Sequence, residues 1–267
     1  MPSILERFRL DGRTALVTGA GRGIGAAIAV ALAEAGADVA ITARTPAQLE
    51  EVAALIRAAG RTALVVPGDV SDLDSLPGLV DATVSSLGGL DLLVNNAGGS
   101  PPRPFLETSA RSFEKAFHFN VTTAFELTKA ATPHLLRSGE GSVVNISSLA
   151  GRVADRGFSA YGTAKAALSH LTRELAAELA PRVRVNAIAV GSVATSALET
   201  VLTDDGLRTA MEQGTPLRRL GTPEDIAASA LYLISPAGAY VTGKVLEVDG
   251  GLQTSSLHMG LPDLTPG

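Results

Sequence analysis

Short apolar runs alternate with longer segments of helical period along nearly the whole chain. Runs rich in Val, Ile, Leu and Ala predict strands over residues 14–18, 39–42, 63–66, 91–94, 142–146, 183–189 and 245–248. Residues 91–94 are apolar enough to be buried on both faces of a sheet. The pattern therefore predicts an α/β fold, a doubly wound parallel sheet of about seven strands with helices on both faces.

The intervening segments have apolar positions every three or four residues, which is the period of a helix with one buried face. They predict helices over residues 24–35, 47–59, 109–136 (interrupted near Asn120), 159–179 and 223–233, and another that ends near residue 87. Residues 191–222 are less periodic and rich in Ser, Thr and Gly, which is typical of a mobile lid. Because we find no linker or repeat, residues 1–267 are predicted to form a single domain with a tail over residues 253–267.

Composition argues against several classes of protein. Charged residues make up 18% of the chain and the net charge is -5, which disfavours a basic nucleic-acid-binding surface. The absence of cysteine excludes disulfides and thiolate metal sites, and the four histidines lack ligand spacing, so no metal site is expected. No apolar run reaches the roughly 18 residues of a membrane span, and residues 1–10 lack a signal-peptide core. We expect a cytoplasmic protein without nucleic-acid or membrane partners.

A glycine-rich turn follows the first predicted strand. Residues 18–25 read T-G-A-G-R-G-I-G, in which Gly19, Gly23 and Gly25 have the spacing G-x-x-x-G-x-G. Between a strand and an amphipathic helix, such a turn lets the backbone approach a pyrophosphate and directs the helix N-terminus at it. The motif therefore predicts a Rossmann-type dinucleotide site.

The second predicted strand favours one dinucleotide over the other. NAD-binding sites usually place an acidic residue at its end, where the carboxylate binds the ribose 2′-hydroxyl. This strand instead ends Thr42-Ala43-Arg44. Arg44 could pair with a 2′-phosphate, and Arg22 in the turn could add a second cation, so we predict NADP(H) rather than NAD(H).

A serine, a tyrosine and a lysine form the candidate catalytic set. Tyr161 and Lys165 are four residues apart in a predicted helix and would share one face. A neighbouring ammonium favours the phenolate and should lower the Tyr161 pKa from its usual value of about 10. Ser148, after the predicted strand 142–146, could approach the same oxygen. The set predicts acid–base chemistry on a substrate oxygen, although Tyr and Lys also recur at this spacing on ordinary surface helices.

Taken together, these motifs resemble the short-chain dehydrogenase/reductase family over residues 10–252. The resemblance rests on the glycine-rich turn, residues 95–98 (Asn-Asn-Ala-Gly), Asn120, and the set of Ser148, Tyr161 and Lys165. It implies an oxidoreductase that transfers a hydride between NADP(H) and a carbonyl or secondary alcohol, with Tyr161 as general acid/base. It also implies a homo-oligomer, commonly a tetramer.

The resemblance further implies roles for individual residues. In catalysis, Ser148 rather than Ser147 would hold the substrate oxygen, and Asn120 would hold a water that connects Lys165 to solvent. The residues implied in cofactor binding are Gly19, Gly21, Arg22, Gly23, Ile24, Gly25, Arg44, Asp69, Val70, Asn96, Ala97, Gly98, Tyr161, Lys165, Val193 and Thr195. Val190 occupies a position where the family usually has proline, so we expect a looser turn beside the nicotinamide.

The substrate stays open among several candidates. Residues 100–105, 152–158 and 192–217 are candidate pocket walls, and their largely apolar composition suits a medium-sized small-molecule ketone or secondary alcohol. A 3-oxoacyl thioester on an acyl carrier protein and a hydroxysteroid are alternatives. Arg137, Arg182 and Arg184, the candidates for a carrier-protein docking patch, are isolated and more typical of solvated charges. A non-catalytic NADP(H) sensor is a further alternative, which the intact Ser148, Tyr161 and Lys165 disfavour.

Overall fold

The computed structural model describes residues 3–195, 198, 203–256, 261 and 263–264. The strands are β1 (Thr14–Thr18), β2 (Asp38–Thr42), β3 (Ala63–Val65), β4 (Leu92–Asn95), β5 (Gly141–Ser148), β6 (Val183–Val190) and β7 (Val245–Val248). The α-helices are α1 (Gly23–Glu34), α2 (Pro46–Ala58), α3 (Leu76–Leu87), α4 (Ala110–Phe117), α5 (Thr123–Ser138), α6 (Ser159–Leu179), α7 (Asp205–Gly214) and α8 (Pro223–Ile234).

The strands form one parallel sheet in the order β3-β2-β1-β4-β5-β6-β7. The chain moves outward from β1 to β3 and then crosses back, so β1 pairs on its other side with β4, where Leu16 lies beside Leu93. This reversal leaves a crevice at the carboxyl ends of β1 and β4, where ligands bind in open α/β sheets. The predicted fold class is confirmed.

The central strands of the sheet are buried on both faces, which explains their continuous apolar runs. Every residue of β1 is buried, and neighbouring side chains point to opposite faces. Leu16 packs in a cluster with residues of α3, α5 and α6 that include Leu79, Leu127 and Leu175. Val17 packs on the opposite face with residues of α1, α2 and α8 that include Ile28, Ile56 and Ile226.

The helical region predicted over residues 109–136 is interrupted where the sequence indicated. A single π-helical turn, His118–Thr122, separates α4 from α5 and contains Asn120. The side chain of Asn120 donates to the carbonyl of Ala116 at 2.8 Å, one α-turn earlier. The turn therefore places a buried amide between the two helices, a position where π-turns are often functional.

The predicted lid is partly helical. α7 begins after Asp204, whose carboxylate accepts from the N–H groups of Gly206 and Leu207 and caps the helix. A bridge between Val193 and Gly221 joins the two ends of the segment. Residues 196–197 and 199–202 lie outside the described residues, as do residues 257–260, 262 and 265–267 of the predicted tail.

Arg184 is not the solvated charge that the sequence suggested. Its guanidinium points inward and donates to five backbone carbonyls around the end of α8, those of Leu233, Ile234, Ser235, Gly238 and Val241. Burial lowers the pKa of Arg184. Because the last carbonyls of a helix have no intrahelical partner, this cation caps α8 from the neighbouring strand β6.

No helix in the described part of the chain is long and apolar enough to cross a membrane.

Candidate active site

A cavity of about 630 Å³ lies at the carboxyl ends of the central strands. Every residue implied in cofactor binding lines it, and so does Ser148. Residues from two of the predicted pocket walls, 152–158 and 192–217, also line it, whereas residues 100–105 do not. Leu202, an apolar residue of the predicted wall 192–217, falls outside the described residues.

Gly19 and Gly25 show why the glycine-rich turn needs glycine. Gly19 has a φ of +62°, a left-handed conformation that glycine adopts without strain. A Cβ on Gly25 would lie 2.4 Å from the carbonyl oxygen of Gly19, so the start of α1 packs directly against the turn. The N-terminus of α1 therefore reaches the cavity, and the cradle fits a dinucleotide pyrophosphate.

The end of β4 is fastened to this turn by a network that involves Thr18. The Thr18 hydroxyl oxygen accepts from the N–H groups of Asn96 and Ala97, both at 3.0 Å. The Asn96 side-chain amide donates to the carbonyls of Thr18 at 2.9 Å and Gly19 at 3.1 Å. Asn96 thus holds the turn with its side chain, and Thr18, which belongs to the glycine-rich motif but was given no role from sequence, is a positioning residue.

The far end of the cavity carries the charges relevant to dinucleotide choice. The end of β2 places Thr42 and Arg44 in the cavity wall, and Arg22 lines it from the glycine-rich turn. Asp69 also lines this end, where the N–H and O–H of Ser71 donate to its carboxylate. Those bonds lower the pKa of Asp69, and the charge of Arg44 lowers it slightly further, so Arg44 lies within electrostatic range of Asp69.

The two adjacent serines at the end of β5 have different surroundings. The Ser147 hydroxyl is buried, donates to the carbonyl of Lys165 at 3.0 Å and lies 2.7 Å from the hydroxyl of Ser169. The Ser148 hydroxyl instead accepts from the N–H of Ala150 at 3.2 Å and makes a hydrogen bond with Tyr161. The structure therefore brings Ser148, and not Ser147, to the Tyr161 phenol.

The sequence predicts that Lys165 lowers the pKa of Tyr161, whereas the structure gives Tyr161 a raised pKa. Burial raises the pKa of the Tyr161 phenol, and its hydrogen bond with Ser148 opposes that rise. Lys165 Nζ donates to the carbonyl of Ile146 at 2.8 Å and lies 5.7 Å from the centroid of the Tyr161 ring. Burial lowers the pKa of Lys165 to about 8. Desolvation is the first cause of both shifts.

A family model described as Enoyl-(Acyl carrier protein) reductase matches residues 19–253. That span contains the glycine-rich turn, the end of β4, and the serine, tyrosine and lysine gathered at the cavity. The chain belongs to the short-chain dehydrogenase/reductase family.

Similar proteins of known name are oxidoreductases. An uncharacterised oxidoreductase of Mycobacterium tuberculosis is 58% identical over 98% of this chain and 100% of its own length. The 7α-hydroxysteroid dehydrogenase of Escherichia coli K12 is 40% identical over 92% of this chain and 96% of its own. A solved 7α-hydroxysteroid dehydrogenase, complexed with NADH and 7-oxo glycochenodeoxycholic acid, is 39% identical, with a TM-score of 0.90 over 94% of this chain and 98% of that one.

Asn120 lies behind the cavity of this short-chain dehydrogenase/reductase rather than in its wall. Its side chain accepts from the N–H of Gly99 at 2.8 Å and donates to the Gly99 carbonyl at 3.0 Å. A Cβ on Gly98 would lie 2.7 Å from Asn120 Oδ1 and 2.9 Å from Lys165 Nζ, so the backbone passes closely between them. The water relay implied for Asn120 stays a prediction.

Val190, where the resemblance implies a proline, is the last residue of β6. Val190 pairs with Ser148 on one side and with Val248 on the other. The N–H of Gly191 then donates to the carbonyl of Val248 at 3.0 Å. The sheet therefore holds Val190 on both sides, and the looser turn expected after it stays a prediction.

Two lining residues come from the predicted tail and were not anticipated. Ser255 and Ser256 line the cavity, where the O–H of Ser255 donates to Asp155 and the hydroxyls of Ser256 and Ser192 lie 3.0 Å apart. No local sequence motif predicts this position for Ser255 and Ser256. They reach the cavity through contacts with Asp155 and Ser192, which lie far from them along the chain.

Proposed function

We propose that this protein is an NADP(H)-dependent dehydrogenase/reductase that interconverts a ketone and a secondary alcohol, with Tyr161 as general acid/base. The observation that carries the proposal is the convergence of Ser148, Tyr161 and Lys165 on a cavity whose other end is a dinucleotide cradle. That arrangement brings an acid–base group and a cofactor to one carbonyl.

In the reductive direction the Tyr161 O–H gives its proton to the carbonyl oxygen, and the Ser148 O–H donates a hydrogen bond to the same oxygen. When bound, NADPH supplies the hydride to the carbonyl carbon, so the product is a secondary alcohol. The positive charge of Lys165 stabilises the phenolate left on Tyr161, and Asn120 supports the backbone beside Lys165. A phenol whose pKa is raised by burial is protonated at neutral pH, so Tyr161 starts the reductive direction in the form that holds the proton, while the raised pKa makes it a weaker acid.

The cofactor preference rests on Arg44 and Arg22, with no acidic residue at the end of β2. A guanidinium can bind a 2′-phosphate through two charge-assisted hydrogen bonds. The neutral 2′-hydroxyl of NADH offers no such pair, so its contact with the guanidinium does not offset the cost of desolvating the guanidinium. We expect Arg44→Ser to weaken NADPH binding by about tenfold in a fluorescence titration, with little change for NADH. Arg57→Ser, on the exposed side of α2, is the control. A preference of the wild type for NADH would refute this assignment and leave the reaction class intact.

The substrate class that we propose is a medium-sized, largely apolar small molecule, with a hydroxysteroid-like ketone as the first candidate. It is supported by the apolar lining residues Leu149, Val153, Phe158, Leu198 and Met211 and by the similarity to 7α-hydroxysteroid dehydrogenases. A 3-oxoacyl thioester is the second candidate, favoured only by the description of the matching family model. We also expect a cytoplasmic homo-oligomer, a tetramer by family resemblance, and the fully exposed Tyr240 would lie at or near a subunit interface.

The test is hydride transfer by purified protein against a panel of ketosteroids, simple ketones and 3-oxoacyl thioesters, followed as NADPH oxidation. Tyr161→Phe should reduce kcat at least about a hundredfold while NADPH affinity is kept. Ser148→Ala should also lose turnover, whereas Ser147→Ala should retain it, because only Ser148 contacts the phenol. Near wild-type turnover of Tyr161→Phe would refute the catalytic assignment. Tight NADPH binding without turnover of any ketone would favour the sensor.

A further inference from the structure

The substrate end of the cavity contains a carboxylate that the proposed chemistry does not use. Among the described residues that line the cavity, the carboxylates are those of Asp69 and Asp155. Asp69 follows β3, at the end that holds Arg44, whereas Asp155 lies in the loop between β5 and α6. The same loop supplies Val153 and Phe158 to the cavity wall, and the Phe158 ring lies 6.2 Å from that of Tyr161.

Asp155 is held from two directions. The N–H of Arg156 donates to its Oδ1 at 2.7 Å, and the O–H of Ser255 donates to its Oδ2 at 2.5 Å. The first bond belongs to the loop itself and the second comes from the C-terminal segment, a hundred residues further along the chain. Since a carboxylate has about four acceptor positions, Asp155 retains the capacity to accept from a bound molecule.

The two arginines that flank Asp155 are directed elsewhere. Arg152 contacts Glu247 at 3.0 Å and Asp249 at 3.5 Å, and it donates to the carbonyl of Leu252 at 2.7 Å. Arg156 donates from its guanidinium to the carbonyl of Leu261 at 2.9 Å and pairs with Asp263. In the part of the chain that the structure describes, Asp155 has no ion pair, so its negative charge is available to the substrate end of the cavity.

We propose that Asp155 selects substrates whose end remote from the reacting carbonyl carries a hydrogen-bond donor, a hydroxyl or an ammonium group, and disfavours a carboxylate there. The inference rests on the proposed function and adds to it a specificity-determining residue. Val153 and Phe158 of the same loop line the cavity with Asp155, and a carboxylate beside apolar groups attracts a donor more strongly than one surrounded by water. Ser255 positions the carboxylate and so gives the C-terminal segment a part in substrate choice.

The test compares four ketones that share one apolar skeleton and differ only in the remote group: methyl, hydroxyl, ammonium or carboxylate. For each, kcat/KM is measured with the wild type, Asp155→Asn and Asp81→Asn, an equal change of charge at an exposed position of α3. We expect the wild type to prefer hydroxyl or ammonium over methyl by about tenfold and to reject carboxylate. Asp155→Asn should lower the ammonium-to-methyl ratio and raise the carboxylate-to-methyl ratio, each by about tenfold, while Asp81→Asn keeps the wild-type ratios.

Two further measurements keep the result interpretable. Ser255→Ala should shift the two ratios in the same directions as Asp155→Asn by a smaller factor, and it tests the idea if Asp155→Asn fails to fold. The binding of the four ketones to Tyr161→Phe with NADPH, measured by calorimetry, reports their relative affinities without turnover. The role of Asp155 in selectivity can therefore be tested even if the proposed reaction is wrong. Ratios that are equal in wild type and Asp155→Asn, by turnover or by binding, would overturn the proposal. The hydroxyl and ammonium arms decide which donor is preferred.

Discussion

Lys165 connects the stability of the fold with the chemistry of the site. Burial lowers the pKa of Lys165 from 10.5 to about 8. Below that value both the folded and the unfolded chain bind the proton, and the folded state carries the full cost of a buried cation. Between pH 8 and 10.5 the folded lysine is neutral while the unfolded one is still protonated, so the cost disappears as the pH rises. A change of this size corresponds to roughly 3 kcal/mol.

Substitution Lys165→Met removes the cation and keeps a side chain of similar length. At neutral pH the variant is relieved of the roughly 3 kcal/mol cost, but it loses the hydrogen bond to the carbonyl of Ile146, worth about 1–2 kcal/mol. We therefore expect the variant to be inactive and yet more stable than the wild type by about 1–2 kcal/mol near pH 7. Towards pH 10 the wild type should gain up to about 3 kcal/mol relative to the variant.

The measurement is equilibrium urea unfolding followed by far-ultraviolet circular dichroism, since the chain has no tryptophan. Wild type and variant are compared at several pH values from 7 to 10 and at one protein concentration, so that other titrating groups and any subunit association cancel in the difference. Lys129→Met is the control, because the Lys129 side chain is 67% exposed beside Glu126 and should show no such dependence. A wild-type-minus-variant difference that stays constant within about 0.5 kcal/mol over this range would refute the reasoning.

Two other predictions concern stability and the cofactor cradle. Arg184→Met should lower the free energy of unfolding by about 3 kcal/mol, because the carbonyls at the end of α8 lose a charged donor. The control, Arg182→Met at an exposed position, should change the free energy of unfolding by less than about 0.5 kcal/mol. Equal effects of the two substitutions in urea unfolding would contradict the capping role of Arg184. Gly25→Ala should abolish NADPH binding in a fluorescence titration, since its Cβ would lie 2.4 Å from the Gly19 oxygen. The control is Gly78→Ala on α3, where the new Cβ would meet open space, and this substitution should stabilise the protein by up to about 1 kcal/mol. Retained NADPH binding by Gly25→Ala would contradict the prediction, because it would show that the turn can shift to accommodate a Cβ.

Sequence patterns located the elements of this fold closely because the relevant signals are local. The predicted strands at 14–18 and 245–248 coincide with β1 and β7, and the predicted helix at 159–179 coincides with α6. Continuous apolar runs and helical periods depend only on neighbouring residues, so they can be read without knowing the fold. α7 lies in the stretch predicted as aperiodic, although Leu207, Ala210 and Met211 have the spacing of a helix and Asp204 provides a cap, so a short helical period was overlooked there.

The sequence by itself determined the strand–helix alternation, the glycine-rich turn and the residue types at Ser148, Tyr161 and Lys165, because spacing along the chain carries that information. Only the tertiary structure decided the direction of the Tyr161 and Lys165 pKa shifts, since desolvation depends on everything packed around a group. It also decided that Arg184 turns inward to cap α8, and that Ser255 reaches Asp155 at the cavity. Those contacts join residues about fifty and a hundred positions apart, and no local pattern encodes them because they form only when separate elements pack together.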